Sequence, residues 1–282
     1  MLDLVLLPFF GVLVILAMHA YLGLHVIVRG VIFVDLAFAQ IAALGATVAL
    51  LLGWDAGTGI SLLFSLGFTL LGAFLFSITR MEHSRVPQEA IIGIIFVVAS
   101  AAVILLAGLL AEGAEHVKET LTGSLIWIDM PTILKMAGVY AAIGLFHWVF
   151  RRHIYAISFD PDAEPHLVLW DFLFYATFGV VITFSVAVAG VLVVFSTLVI
   201  PGVIAFLYTN RFLSALLLAW SAGTVAIVVG LGISFWGDLS TGPVLVCSFG
   251  GVLLLAALLR PLLRQGKATE PPVAEILKDG KG

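Results

Sequence analysis

The chain has 282 residues, 62% of them hydrophobic and only 11% charged, with a net charge of −4 and a mean hydropathy of +1.21. These values exclude an ordinary soluble domain, and the lack of any basic run excludes a nucleic-acid partner. The single cysteine, Cys247, excludes an internal disulfide.

Apolar residues recur in blocks of about 20, the length that crosses about 30 Å of hydrocarbon at about 1.5 Å per residue. Nothing alternates with period two. The expected fold is therefore all-α, a polytopic bundle of eight to nine helices in the lipid bilayer rather than a barrel. Residues 1–264 form this transmembrane domain, and the polar, proline-interrupted stretch 265–282 is expected to be a mobile cytosolic tail. The first block carries Asp3 where a signal peptide would be basic, so it is read as a retained span.

In chain order the spans fall near 5–27, 33–53, 59–79, 89–110, 131–150, 168–188, 190–209, 213–234 and 243–263. The boundary at 188–190 carries no charge, so one long bent element or a re-entrant piece is the alternative there. With the N-terminus outside, eleven of the 13 basic residues fall on the cytosolic side, including Arg29, Arg80, Arg85, Arg151, Arg152, Arg211 and Arg260. Only Lys118 and Lys135 do not. The outer side collects Asp55, Glu112, Glu115, Glu119, Asp129 and Asp238, with Trp54, Trp127 and Trp236 as interfacial anchors. The long outer segment at 111–129 has room for a short surface helix, and the longest inner loop is RRHIYAISFDPDAEPH, 151–166.

An ionisable group inside a membrane costs about 2.5–3.5 kcal/mol on insertion scales unless it is paired or lines a wet path. Asp35 and Gln40, within the second span, are therefore the residues to explain. A hairpin of spans one and two would bring His25 to the depth of Asp35 and His19 to the depth of Gln40. Two readings stand at this point: a structural His25–Asp35 pair, or a path for a cation lined by His19, His25, Asp35 and Gln40, with Asp35 and His25 as metal ligands. Other polar residues carry weaker signals. His147 lies close to Arg151 at the interface, Asp171 suits a helix N-terminus, and Glu89 after Pro87 is a common helix start. Pro201 beside Gly202 lies mid-span and is expected to kink or break its helix, either as a packing feature or at a cavity. No phosphate-binding loop or catalytic nucleophile pattern occurs, so any ATP hydrolysis belongs to another chain.

Several segments, in order, resemble the permease subunits of bacterial zinc and manganese ABC importers, the ABC-3 family. They are LGLHVIVRGVIFVDLAFAQIAALG, PQEAIIGIIF, LTGSLIWI, FDPDAEPH, GVLVVFSTLVIPGVIA and GISFWGDLSTGPVLV, covering about Gly23 to Leu259. The resemblance implies a type II importer fold, a second copy of this subunit, cytosolic ATP-binding subunits and an extracytoplasmic substrate-binding protein in a bacterial cytoplasmic membrane. It implies no tightly bound cofactor and a divalent metal ion as the cargo. It also makes Phe159, Asp160, Pro161, Asp162, Ala163 and Glu164 the loop that docks on the ATPase.

One stretch departs from the family. Its usual pattern GD-x-x-SH-x-x-x-PG, aligned without gaps from Arg29 to Gly45, puts Leu36 at the aspartate, Ala39 at the serine, Gln40 at the histidine and Leu44 at the proline. Asp35 falls one residue early. A harder ligand set tilts preference from zinc toward manganese or iron, and the missing histidine supports the rival cargo of a metal chelate or small organic solute. An ion-coupled secondary transporter is disfavoured because only Asp35 is clearly inside a span. An intramembrane enzyme is disfavoured because no nucleophile and base stand at suitable spacing.

Overall fold

A computed structural model describes residues 3–80, 86–110 and 113–263. The tail from Gln265 lies outside the described residues, as do Arg85, Glu112 and Arg264. The chain is helical and, among the described residues, has no strand.

Helices occupy each predicted span: α1 (Asp3–Arg29), α2 (Val34–Leu51), α3 (Gly59–Ile78), α4 (Gln88–Ala107), α6 (Met130–Val149), α8 (Leu167–Tyr208), α9 (Phe212–Gly237) and α10 (Thr241–Leu263). The outer segment forms α5 (Gly113–Thr122), and the inner loop begins with α7 (Arg151–Phe159). Starts follow local chemistry. Thr58 caps α3 by accepting from Ser61 N, and Asp129 caps α6 by accepting from Thr132 N at 3.0 Å. Hydrogen bonds from the Thr132 hydroxyl and backbone hold the Asp129 carboxyl below the usual aspartate value.

Eight helices among the described residues are long and apolar enough to cross a membrane. α8, at 42 residues, is not one straight rod. Its only non-helical residue is Gly190, at φ 75° and ψ 161°, and there the chain doubles back. The contacts with α1 establish the reversal. Along residues 167–189 the sequence runs against α1, with Asp171 on Arg29 and Phe174 against His25. Along 191–208 it runs with α1, since Leu198 lies against Gly23 and Gly202 against Ile27. The two limbs coincide with the two segments expected at 168–188 and 190–209.

The break sits at Gly190 and not at Pro201. A φ of +75° suits glycine, whereas proline removes only one helical hydrogen bond, and α8 runs on through Pro201 to Tyr208. Pro201 and Gly202 form a buried close-packing site against α1.

The other correction concerns the first two helices. A tight turn at Gly30 joins α1 to α2, yet the two do not pack along each other. α1 packs on α8 and α9, α2 packs on α3 and α4, and α8 lies against both. Lipid tails are as apolar as leucine, so helix association rests on close fit rather than on hydrophobicity. At Gly23 an added Cβ would fall on the carbonyl of Leu198, which is the approach that seats α8 on α1. α4, α6, α9 and α10 lie further out and turn Leu105, Leu109, Leu134, Leu213, Leu254 and Leu258 outward, as lipid-facing helices do.

Candidate functional site

At the end bearing Trp54, Trp127 and Trp236, which the arginine distribution of the sequence predicts to be the outer end, a cavity of about 470 Å³ opens between α2, α3, α6, the first limb of α8 and the 120–124 segment. Its wall is made of small and hydroxylated side chains: Ala43 and Ala46 of α2, Ser61 and Ser65 of α3, and Thr183 of α8, with Lys135 of α6 beside them. Two of these hydroxyls spend their protons on their own helix backbone. Ser65 donates to Ser61 O at 3.2 Å and Thr183 to Gly179 O at 2.8 Å.

The cavity ends on an aromatic layer. One turn below Thr183, Gly179 leaves room for Phe38, whose ring packs on Phe76 at 5.1 Å, Phe178 at 5.7 Å and Tyr175 at 6.3 Å. Below that layer lies an ionic cluster at the arginine-bearing inner end. Arg29 donates to Asp171 Oδ1 at 2.6 Å, and Arg80 donates to both carboxylate oxygens at 2.8 and 2.9 Å. The Arg29 and Asp171 side chains are both only 1% exposed. Arg29 lies over the rings of Phe174 and Tyr175 at 4.6 and 4.7 Å, and Arg80 also donates to Ile157 O of α7. From Thr183 to Asp171 is twelve residues, about 18 Å of packed helix at about 1.5 Å per residue.

Asp171 is thus the hub of the inner end and not merely a helix-start acid. The sequence signal for it was available: a buried acid needs a cation, and Arg29 and Arg80 are the basic residues at the facing span ends.

The four polar residues singled out in the first two spans are not brought together. His25 is buried in a ring of Tyr21, Phe159, Phe174 and Phe212, with centroids 4.9–5.9 Å away. Its Nδ1 donates to Ser158 Oγ at 2.9 Å, because the Ser158 hydroxyl proton goes to Ile154 O. The expected His25–Asp35 pair does not form, since α8 lies between helices that a hairpin would have paired. His19 donates through Nδ1 to Ile15 O, and its Nε2 has no partner. Asp35 is buried on α2 with both carboxylate oxygens unpartnered. Gln40 is buried on the same helix, about one turn below Ala43 of the cavity wall. None of the four lines the cavity, and among the described residues no three His, Cys, Asp or Glu side chains are placed to share a metal ion.

His147 is another finding. It is buried, and its Nε2 donates to Thr177 Oγ1 at 2.9 Å, since the Thr177 proton goes to helix carbonyls. Its Nδ1 therefore accepts from Tyr21 OH. It ties α6 to α1 and α8 instead of marking the interface.

The profile of the ABC 3 transport family matches residues 1–260. The chain belongs to the ABC 3 transport family. Among relatives of this ABC 3 member, the chelated iron transport system membrane protein YfeD of Yersinia pestis is 30% identical over 209 residues, 67% of each chain. The manganese transport system membrane protein MntC of Halalkalibacterium halodurans is 24% identical over 261 residues, covering 88% of this chain and 84% of that one. Among solved structures, PsaBC from Streptococcus pneumoniae in complex with Fab superposes with a TM-score of 0.74 at 22% identity, over 92% of both chains, which establishes a shared fold.

In this ABC 3 permease the segment from Phe159 to Glu164 is a short structured projection at the inner end. Phe159 is buried and ends α7, and Pro161–Ala163 form one 3-10 turn. Asp160 and Asp162 are exposed, whereas Glu164 is buried and accepts from His153 Nδ1 at 2.8 Å and from His166 N. The acids therefore divide into two free to meet a partner and one that braces the turn. Asp160→Lys with Asp162→Lys should leave the melting temperature within about 1 °C, as exposed substitutions do. Its expected effect is an at least tenfold loss of ATP-driven transport in the assembled complex. Full transport by the double variant would show that this turn meets no partner that drives transport.

Proposed function

We propose that this chain is the membrane-spanning subunit of an ATP-driven importer that carries a metal into a bacterial cytoplasm by alternating access. The observation that carries the reading is the pairing of an outer cavity with an inner end closed by an aromatic layer and an ionic cluster. That is the form an outward-open permease needs before its load is released. Family membership supports it, as do relatives named for manganese and chelated iron.

In this reading two copies of the chain pair in the membrane and ATP-binding subunits dock on the 151–166 segment. An extracytoplasmic binding protein delivers the cargo at the tryptophan-bearing end. The N-terminus lies outside and the C-terminus in the cytosol, as the arginine distribution requires. Closing the outer cavity then opens the inner end by separating α7 from Arg80, so ATP-driven motion of α7 reaches Asp171 directly. The chain itself carries out no hydrolysis.

Asp35 belongs to the path that opens inward. Its carboxylate is held inside the bundle with no hydrogen-bond partner, and a group kept at such a cost to stability serves function rather than fold. The test is uptake of manganese, zinc and iron, each offered both free and as its citrate complex, into proteoliposomes that hold the chain with its ATPase and binding protein. ATP-dependent accumulation of one metal is expected. Asp35→Asn should cut it at least tenfold with an equal or higher melting temperature, because an amide of the same shape replaces a carboxyl group that has no hydrogen-bond partner in the bundle. Undiminished uptake in the variant would take Asp35 off the path, and no metal uptake by the wild type would overturn the importer reading.

A further inference from the structure

We propose that the outer cavity receives the metal as an oxygen-ligated, net-anionic organic complex of the hydroxycarboxylate class, and that Lys135 is the charge that recognises it. This rests on the metal-importer reading above and names the form in which the metal travels.

Size is the first argument. A dication with six waters needs about 180 Å³ at about 30 Å³ per water. The cavity holds about 470 Å³, within the range of small-molecule sites.

Charge is the second. Lys135 is exposed on the cavity wall, where its ammonium lies 5.5 Å from the Phe184 ring. Among the described residues no carboxylate pairs with it and no acid or imidazole lines the cavity. A lone ammonium over low-dielectric walls repels a free dication and attracts an anion. Among the described lining residues no other charged side chain offsets that sign.

Hydrogen bonding is the third. Thr58, Ser65 and Thr183 donate their protons to backbone carbonyls, so toward a ligand they present lone pairs. Lone pairs accept from hydroxyl groups and from metal-bound water. A complex carrying outer carboxylates for the ammonium and hydroxyls for the serine and threonine oxygens satisfies both features, and a bare dication satisfies only the weaker of them.

The test uses proteoliposomes with the full assembly, loaded from outside with iron-55 ferric citrate made with carbon-14 citrate, and in parallel with manganous chloride. Both labels should enter together under ATP, and manganese alone should enter poorly. Lys135→Gln should raise the half-saturating concentration of the complex about tenfold, the scale of one charge-assisted hydrogen bond, and Lys135→Arg should restore most of it. Iron entering without citrate, or Lys135→Gln uptake equal to wild type, would overturn this inference and leave the importer reading standing. Free manganese entering as well as or better than the complex would do the same. Failure of every metal form to enter would overturn both.

Discussion

Asp171→Ala should be the most damaging single change at the inner end, lowering the melting temperature in detergent by about 10 °C or more. The carboxylate is the shared partner of two guanidinium groups, and the Arg29 side chain is 1% exposed. Among the described residues Arg29 has no other carboxylate partner, and its Nε and Nη1 lack hydrogen-bond partners. Removing one member of a buried ion pair costs about 3–5 kcal/mol because the survivor keeps its desolvation penalty. At about 2–4 °C per kcal/mol for a chain of this size, that is a loss of order 10 °C. Arg80→Met should do less harm, because Arg80 is 18% exposed and its removal leaves Arg29 still paired.

The informative companion is Arg29→Met with Asp171→Leu. Replacing the two deeply buried charges by apolar groups leaves only Arg80, which is 18% exposed and keeps its bond to Ile157 O, so most of the lost stability should return. Transport should not return, because the Arg80 link from Asp171 to Ile157 O of α7 is gone. Thermal melts and uptake on the same preparations separate the two effects. A wild-type melting temperature for Asp171→Ala would show that the cluster does not hold the inner end.

Gly190→Ala should prevent the bundle from closing at its outer end. Gly190 has φ 75° and ψ 161°, a region that side chains with a Cβ adopt only under strain of about 1–3 kcal/mol. Space is denied as well. A Cβ there would meet Gly123 N and stand 2.6 Å from Thr122 C and 2.7 Å from Leu121 O, all backbone atoms with no freedom to retreat. Gly123, itself at φ 68°, faces the same contact from the other side, with a Cβ 2.5 Å from Ala189 O. The two glycines interlock α5 with the reversal of α8, and Ser124 N bonds Val188 O beside them.

Either alanine variant should lose most of its monodisperse yield on size exclusion of a fluorescent fusion. Gly232→Ala and Gly250→Ala, where nothing stands within 4 Å of the added atom, should behave as wild type. Equal yields from all four would mean that the reversal tolerates another turn.

How much of this was legible beforehand follows from the kind of signal each feature leaves. The spans lay within a few residues of their predicted bounds because hydrocarbon thickness sets their length and charge marks their ends. A boundary at 188–190 was expected, with one long bent element or a re-entrant piece as the alternative, and Pro201 drew attention away from Gly190, whose positive φ leaves no mark in the sequence. The short turn after α7 was visible as FDPDAEPH. Its division into exposed Asp160 and Asp162 and a bracing Glu164 was not, because that depends on His153 lying one α7 helix away in the fold.

The sequence by itself determined that this is a many-pass membrane protein of the ABC 3 transport family and where its helices begin and end. Only the tertiary structure decided which helices touch. Helices apolar on every side have no polar face to announce their rotation, and in lipid any two can meet. Side-chain fit chooses, and it placed α8 between α1 and α2, sent His25 to Ser158 instead of Asp35, gathered Arg29, Arg80 and Asp171, and left Asp35 unpaired.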